Sequence, residues 1–234
     1  MKFETVKEHL KDTPYMGIDE GWELYSFICK SRPRTALELG HAHGSSSIFI
    51  AAALDELGEG ILETVDLEGS VDRVPNLEQL VSQTGLSPYI RIFREKNSYT
   101  WFLKKKIEEC TSNGMCEPIY DFCFVDGPKN WTIDGFAFFL VNKLLRENGW
   151  ILFDDYTWTH GKHKDRKVTD GITVRSLGVD EINQAHIELI FNLLVVQSNE
   201  YSNFEIQDSW WAWAQKTSTG SRRVRYTSKM MQPC

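Results

Sequence analysis

The chain has 234 residues, 41% hydrophobic and 25% charged, which suits one large globular domain and excludes a wholly disordered chain or a small disulfide-stapled scaffold. The formal net charge of −7 excludes a broad basic surface for a nucleic-acid backbone. The one basic cluster, Arg222, Arg223, Arg225 and Lys229, reads as a solvated tail.

Taken in chain order, short apolar runs alternate with helical patterns. Residues from about Asp19 to Ser31 read as a helix stopped by Pro33. Thr35–Leu39 is a short buried strand, Gly40–Gly44 a turn, and Ser45–Leu57 a helix ended by Gly58 and Gly60. A second strand follows over Gly60–Asp66, a helix over Pro75–Gly85 and a third strand over Ile90–Phe93. Then come a helix over Thr100–Cys110, a strand over Tyr120–Val125, a helix over Asp134–Leu145 and a strand over Gly149–Phe153. One further helix is expected over Glu181–Leu194. Phe204–Ile206 and Trp210–Gln215 close the pattern as a strand pair. The expected fold is therefore α/β: a Rossmann-like, doubly wound, mainly parallel sheet with a C-terminal antiparallel strand pair. The charged segment Met1–Glu8 lacks a signal peptide's apolar core, and the run Ile187–Val196 is too short to span a bilayer. Five cysteines, none in a C-x-x-C pair, read as reduced thiols in a cytoplasmic protein.

In an open α/β sheet, ligands bind beyond the carboxyl ends of the strands. The strands deliver a polar set there: Glu38-Leu39-Gly40-His41-Ala42-His43-Gly44-Ser45-Ser46, then Asp66, then Lys96-Asn97-Ser98, then Asp126-Gly127-Pro128-Lys129-Asn130-Trp131, then Asp154-Asp155. Gly40 and Gly44 permit a tight turn and close approach of a ligand, but their spacing is not the dinucleotide G-x-G-x-x-G. Glu38 suits an ammonium or the loop amides, and Asp66 suits a pair of ribose hydroxyls. Helix N-caps also favour Asp, Asn and Ser, so capping is the competing reading for Asp66, Asp126 and Asp155.

The run Glu38-Leu39-Gly40…Gly44-Ser45-Ser46 resembles the first motif of class I S-adenosylmethionine-dependent methyltransferases. Val125-Asp126-Gly127-Pro128-Lys129-Asn130-Trp131 and Gly149-Trp150-Ile151-Leu152-Phe153-Asp154-Asp155-Tyr156-Thr157-Trp158 are similar to segments of the metal-dependent small-molecule O-methyltransferases, the catechol and caffeoyl-CoA group. Two features depart from that group. Asp155 stands where catechol-type enzymes have Asn, and the Asp-Asp pair looks like the sugar O-methyltransferases of macrolide and aminocoumarin pathways. Lys129, the catechol-type base, is nevertheless kept.

The resemblance implies a single methyltransferase domain over 1–234, with a helical cap to about residue 32, a core over 33–216 and a tail over 217–234. It implies that Glu38, Gly40, His41, Gly44, Ser45, Ser46, Asp66, Asn97, Ser98 and Asp126 bind S-adenosylmethionine. Asp126, Asp154 and Asp155 offer hard carboxylate oxygens that suit Mg²⁺, or Ca²⁺ or Mn²⁺. Lys129 and Asp126 are the expected catalytic pair, with Lys129 taking the acceptor's proton. The expected partner is a small-molecule acceptor with adjacent hydroxyls, not nucleic acid or a membrane, and a homodimer is compatible with this reading. His160, His163, Lys162, Lys164, Arg166 and Lys167 form a polar stretch that reads as a solvated loop or as a lid over an anionic substrate. Trp131 and Trp158 are candidates for an aromatic wall, and Trp210, Trp211 and Trp213 for core. A metal-free class I methyltransferase, a nicotinamide-dependent oxidoreductase and a non-catalytic binding module remain as alternatives.

Overall fold

The computed structural model describes residues 1–162 and 176–228. His163, Lys164, Arg166 and Lys167 of the polar stretch, and Lys229 of the tail, lie outside the described residues. The chain divides into two compact units, residues 1–102 and 103–234.

In the first unit, α1 (Phe3–Leu10) and α2 (Ile18–Ser31) precede β1 (Thr35–Leu39) and α3 (Ser45–Leu57). They are followed by β2 (Ile61–Leu67), α4 (Leu77–Thr84), β3 (Ile90–Glu95) and the start of α5 (Tyr99–Glu109). β1 pairs in parallel with β2, and β2 with β3. Each strand is flanked by a helix that returns the chain to the same edge, which is the geometry that makes parallel pairing possible. Helix α3 is buried on every side from Ser45 to Leu54, as its almost unbroken apolar run requires, with α1 and α2 packed on it. Gly21 of α2 lets Phe49 of α3 approach, because a Cβ there would lie 2.2 Å from the ring. Helix α4 begins two residues later than expected because Asn76 and Gln79 form a reciprocal capping box ahead of Leu77.

In the second unit, a small antiparallel hairpin, β4 (Thr111–Ser112) and β5 (Met115–Cys116), leads to β6 (Tyr120–Val125), α6 (Trp131–Leu144) and β7 (Leu145–Phe153). After α7 (Val179–Ile182) and α8 (His186–Ile190) come β8 (Ser202–Gln207), β9 (Trp211–Gln215) and β10 (Arg225–Thr227). β6 and β7 are parallel neighbours, whereas β9 runs antiparallel to both β7 and β8. The expected C-terminal antiparallel pair is therefore present. The core of this unit is aromatic: Phe122, Phe124, Phe138, Phe153, Phe191, Tyr201 and Phe204 are fully or almost fully buried. α6 starts at Trp131 rather than Asp134, because Asn130 caps it by accepting from the amides of Thr132 and Ile133. The single helix expected over Glu181–Leu194 is instead two short helices and a π-turn over Phe191–Val195. His186 belongs to the break: its imidazole takes up the Glu181 carbonyl, a group the continuous helix would have used internally.

Candidate functional site

The first unit carries the glycine-rich turn. Gly40 and Gly44 have φ of 93° and 104°, the left-handed region that glycine enters without strain. A Cβ on Gly44 would also lie 2.6 Å from Leu77. The turn is tied to the end of β2. The amides of His41 and Ala42 donate to Asp66 Oδ2 at 3.0 and 2.7 Å, and the Leu67 amide donates to Oδ1 at 2.6 Å. Three of the roughly four acceptor positions of this carboxylate are thus used within the chain.

Glu38, at the end of β1, is completely buried. Its carboxylate accepts from Ser46 at 2.5 Å, from Thr64 at 2.6 Å and from Ser47. Burial pushes its pKa up to about 7, against the three hydroxyls that lower it. A one-directional chain of donors continues from there. Arg94 Nε donates to Ser70 Oγ, which faces His41 Nε2, and His41 Nδ1 faces Thr64 Oγ1, each at 3.1 Å. Thr64 gives its own proton to Glu38, so its oxygen accepts from His41 Nδ1–H, and Nε2 accepts from Ser70. His41 is thereby fixed as a neutral imidazole, and burial lowers its pKa to about 4. Arg94 is closed at its outer end by a two-bond pair with Glu78. The structure thus joins Glu38, His41, Ser46 and Asp66 around the Gly40–Gly44 turn. Ser45 donates to the Pro14 carbonyl at 3.1 Å. Asn97 is exposed and Ser98 caps α5 by accepting from Thr100; neither is bonded to that group among the described residues.

The second unit carries the acids. Parallel pairing puts Val125 opposite Phe153, so the next residues, Asp126 and Asp154, leave adjacent strands at the same level. Asp155 follows with φ of 58°, and Lys129 has φ of 60°. Two non-glycine residues in the left-handed region at one centre is the kind of local strain that clusters at functional sites. One oxygen each from Asp126, Asp154 and Asp155 lies within 4.8 Å of the others. Lys129 Nζ bonds to Asp126 and stands 3.1 Å from Asp155 and 3.7 Å from Asp154. Burial raises the carboxyls of Asp126 and Asp154 above the ordinary range. For Lys129, burial acts to lower the pKa, but the three carboxylates outweigh it and hold the group protonated above its usual range.

Sequence reasoning missed three participants in this centre. Trp211 Nε1 donates to Asp154 Oδ1 at 2.7 Å, fixing that carboxylate's orientation. The expectation of core holds for Trp211 and Trp213, buried in β9, although the polar edge of the Trp211 indole carries this contact; it fails for Trp210, which precedes the strand and is 44% exposed. His160 and His186 are buried against the backbone of the Lys129–Trp131 turn. His160 is thus a buried residue rather than part of a solvated loop. Trp158 lies edge-on to His160 at 4.7 Å, and Trp131 is 39% exposed at the start of α6.

A family model described as a methyltransferase domain matches residues 37–156, just over half of the chain, a range that holds the Gly40–Gly44 turn, Asp66, Lys129 and the three acids. No curated protein sequence gives a significant match. Among solved structures, the chain is similar to an O-methyltransferase from Bacillus cereus in complex with S-adenosylhomocysteine, at TM-score 0.64 and 17% identity, covering 93% of this chain and 92% of that one. It is also similar to the O-methyltransferase TomG from Streptomyces achromogenes, in complex with S-adenosylmethionine and involved in tomaymycin synthesis (TM-score 0.60, 17% identity, 92% and 89% covered). A third is the S-adenosylhomocysteine-bound methyltransferase PaMTH1 from Podospora anserina (TM-score 0.62, 13% identity, 92% and 86% covered). The match sets aside the oxidoreductase alternative: the chain belongs to the methyltransferase domain family and has the class I S-adenosylmethionine-dependent methyltransferase fold.

Proposed function

We propose that this methyltransferase transfers the methyl group of S-adenosylmethionine to an oxygen of a small molecule with adjacent hydroxyls, catechol-like or a sugar diol, with the help of a divalent cation. The observation that carries the proposal is the convergence of three carboxylates within 4.8 Å. An all-oxygen, half-buried donor set suits a hard cation such as Mg²⁺ or Mn²⁺, and the Trp211 N–H on Asp154 is the outer hydrogen bond that orients such a ligand. The names of the B. cereus and S. achromogenes proteins support oxygen as the acceptor atom.

On this reading Asp126, Asp154 and Asp155 hold the cation and Lys129 serves as base. A cation held there would lower the pKa of the acceptor hydroxyl and fix its oxygen. To act as base, Lys129 would first release its ammonium proton to solvent, which a cation beside it would favour by offsetting the carboxylates that now keep it protonated; the freed Nζ would then take the hydroxyl proton. The oxygen then attacks the sulfonium methyl carbon, the carbon–sulfur bond breaks, and S-adenosylhomocysteine leaves. On the donor side, Gly40 and Gly44 allow close approach to the backbone, Asp66 receives the ribose, and Glu38, His41, Ser45 and Ser46 hold the turn in shape. Asn97 and Ser98 complete the proposed donor set. A second reading rests on Lys129 itself. Its ammonium already sits among the carboxylates and supplies a positive charge without a metal.

Methyl transfer to a panel of catechols, flavonoids and diol sugars, run with Mg²⁺ and with excess EDTA, separates the two. Turnover that needs Mg²⁺ supports the first reading. Full turnover in excess chelator moves the assignment to the second.

A further inference from the structure

Two buried histidines hold one short stretch of backbone from outside it. His160 Nε2 lies 3.0 Å from the Lys129 carbonyl oxygen, which can only accept, so Nε2 carries the proton. The Trp131 amide donates to His186 Nδ1 at 3.1 Å, and His186 Nε2 lies 2.8 Å from the Glu181 carbonyl. His186 is therefore the neutral Nε2–H tautomer, with both ring nitrogens in use. The two rings meet edge to face at 5.2 Å, and Trp158 closes the other side of His160. Between the two anchored groups, Asn130 caps α6 and its own amide donates to Asp134 at 2.6 Å. The stretch begins at Lys129, whose backbone stands in the left-handed region and whose ammonium touches the acids.

That combination needs an explanation. A non-glycine residue in the left-handed region costs free energy and persists only where its surroundings over-determine it. Here the surroundings include the Asn130 cap and the acids at the Lys129 ammonium, and the two imidazoles are the parts that grip the Lys129 carbonyl and the Trp131 amide. We propose that His160 and His186 are positioning residues: together they hold the Lys129–Trp131 backbone so that the Lys129 side chain stays within the Asp126–Asp154–Asp155 centre. Neither histidine is a ligand or a base in this role. Each acts through Lys129, and the inference rests on the proposed function only where a cation is concerned.

The test is the reactivity of Lys129. In the full-length chain in metal-free buffer, amine acetylation is followed residue by residue by mass spectrometry. Lys129 is 7% exposed, and Lys216, at 9%, reports on general loosening of the same unit. His160→Ala and His186→Ala should each raise the acetylation rate of Lys129 by about tenfold, the loss of roughly one hydrogen bond, with Lys216 unchanged. His160→Gln, whose amide places a donor near the Nε2 position, should restore protection, and so should His186→Asn, which places an acceptor near Nδ1. An unchanged Lys129 rate, an equal rise at Lys216, or no difference between the alanine and amide variants would overturn the inference. Calorimetric titration of the wild-type chain with Mn²⁺ separates this from the cation reading. Lost protection without Mn²⁺ binding keeps the histidine clamp and removes the cation. Unchanged protection with Mn²⁺ binding does the reverse.

Discussion

The glycine-rich turn of the first unit and the acidic centre of the second both bury carboxylates, and they compensate them in opposite ways. Around the turn, Glu38 is compensated by three neutral hydroxyls and Asp66 by backbone amides, and the nearby guanidinium of Arg94 is closed off by Glu78. Ser46, Ser47, Thr64 and Arg94 each donate to an acceptor within the chain. At the acidic centre three carboxylates share one ammonium, and two residues hold left-handed backbone to bring them together. Buried charge that is not matched in number is costly, and the raised carboxyls of Asp126 and Asp154 express that cost. The turn is thus closed by its own donors, whereas among the described residues the acidic centre gathers three carboxylates around one ammonium.

The difference is broken most sharply at the acids. Asp154→Ala removes a carboxylate and strands the Trp211 donor. Methyl transfer should fall by on the order of 10²–10⁴-fold, with S-adenosylhomocysteine affinity kept, as calorimetry would show. If donor binding collapsed in parallel, the two regions would not be independent. Lys129→Ala should give a similar or slightly smaller loss of kcat, on the order of 10²–10³, shrinking for acceptors with more acidic hydroxyls. An equal loss across acceptors would assign Lys129 to positioning.

Asp66→Ala probes the turn. It strips the acceptor from the His41 and Ala42 amides and from the proposed ribose contact. The cost should be about 1.5–3 kcal/mol in S-adenosylhomocysteine affinity, with Mn²⁺ affinity unchanged. Unchanged donor affinity would remove Asp66 from the donor site.

The smallest effect is on stability against pH. Glu38 has a folded-state pKa of about 7 against an ordinary value of 4.5. Its contribution is therefore fully present below about 4.5 and is lost as pH rises through 7. His41, lowered to about 4 from 6.5, works in the opposite sense, its contribution being lost as pH falls from 6.5 towards 4. The readout is accordingly the difference in Tm between wild type and Glu38→Gln. The variant should decline less than wild type between roughly pH 4.5 and 7. Parallel curves would show that Glu38 does not titrate there.

Much of this was legible in the sequence because strand ends are local features. Short apolar runs followed by Gly40, Asp66, Asp126 and Asp154 mark where the chain leaves the sheet, and parallel neighbours then bring Asp126 and Asp154 level. The partners of those groups were not legible, because they are distant in the chain. Thr64 reaches Glu38 across 26 residues, Trp211 reaches Asp154 across 57, and His186 reaches Trp131 across 55. No periodicity encodes such pairings. The break between Ile182 and His186 was hidden for a related reason: the apolar spacing is helical, and only the tertiary role of His186 interrupts it. Glu38 suits an ammonium or the loop amides on sequence alone, and its residue type gives no sign of the three hydroxyls that enclose it.

The claim that the acidic centre is completed by a cation is tested most directly by titrating wild type and Asp154→Ala with Mn²⁺ in a calorimeter. The account predicts one saturable site per chain in the wild type and its loss in the variant. No binding to the wild type, or binding that Asp154→Ala leaves untouched, would contradict it.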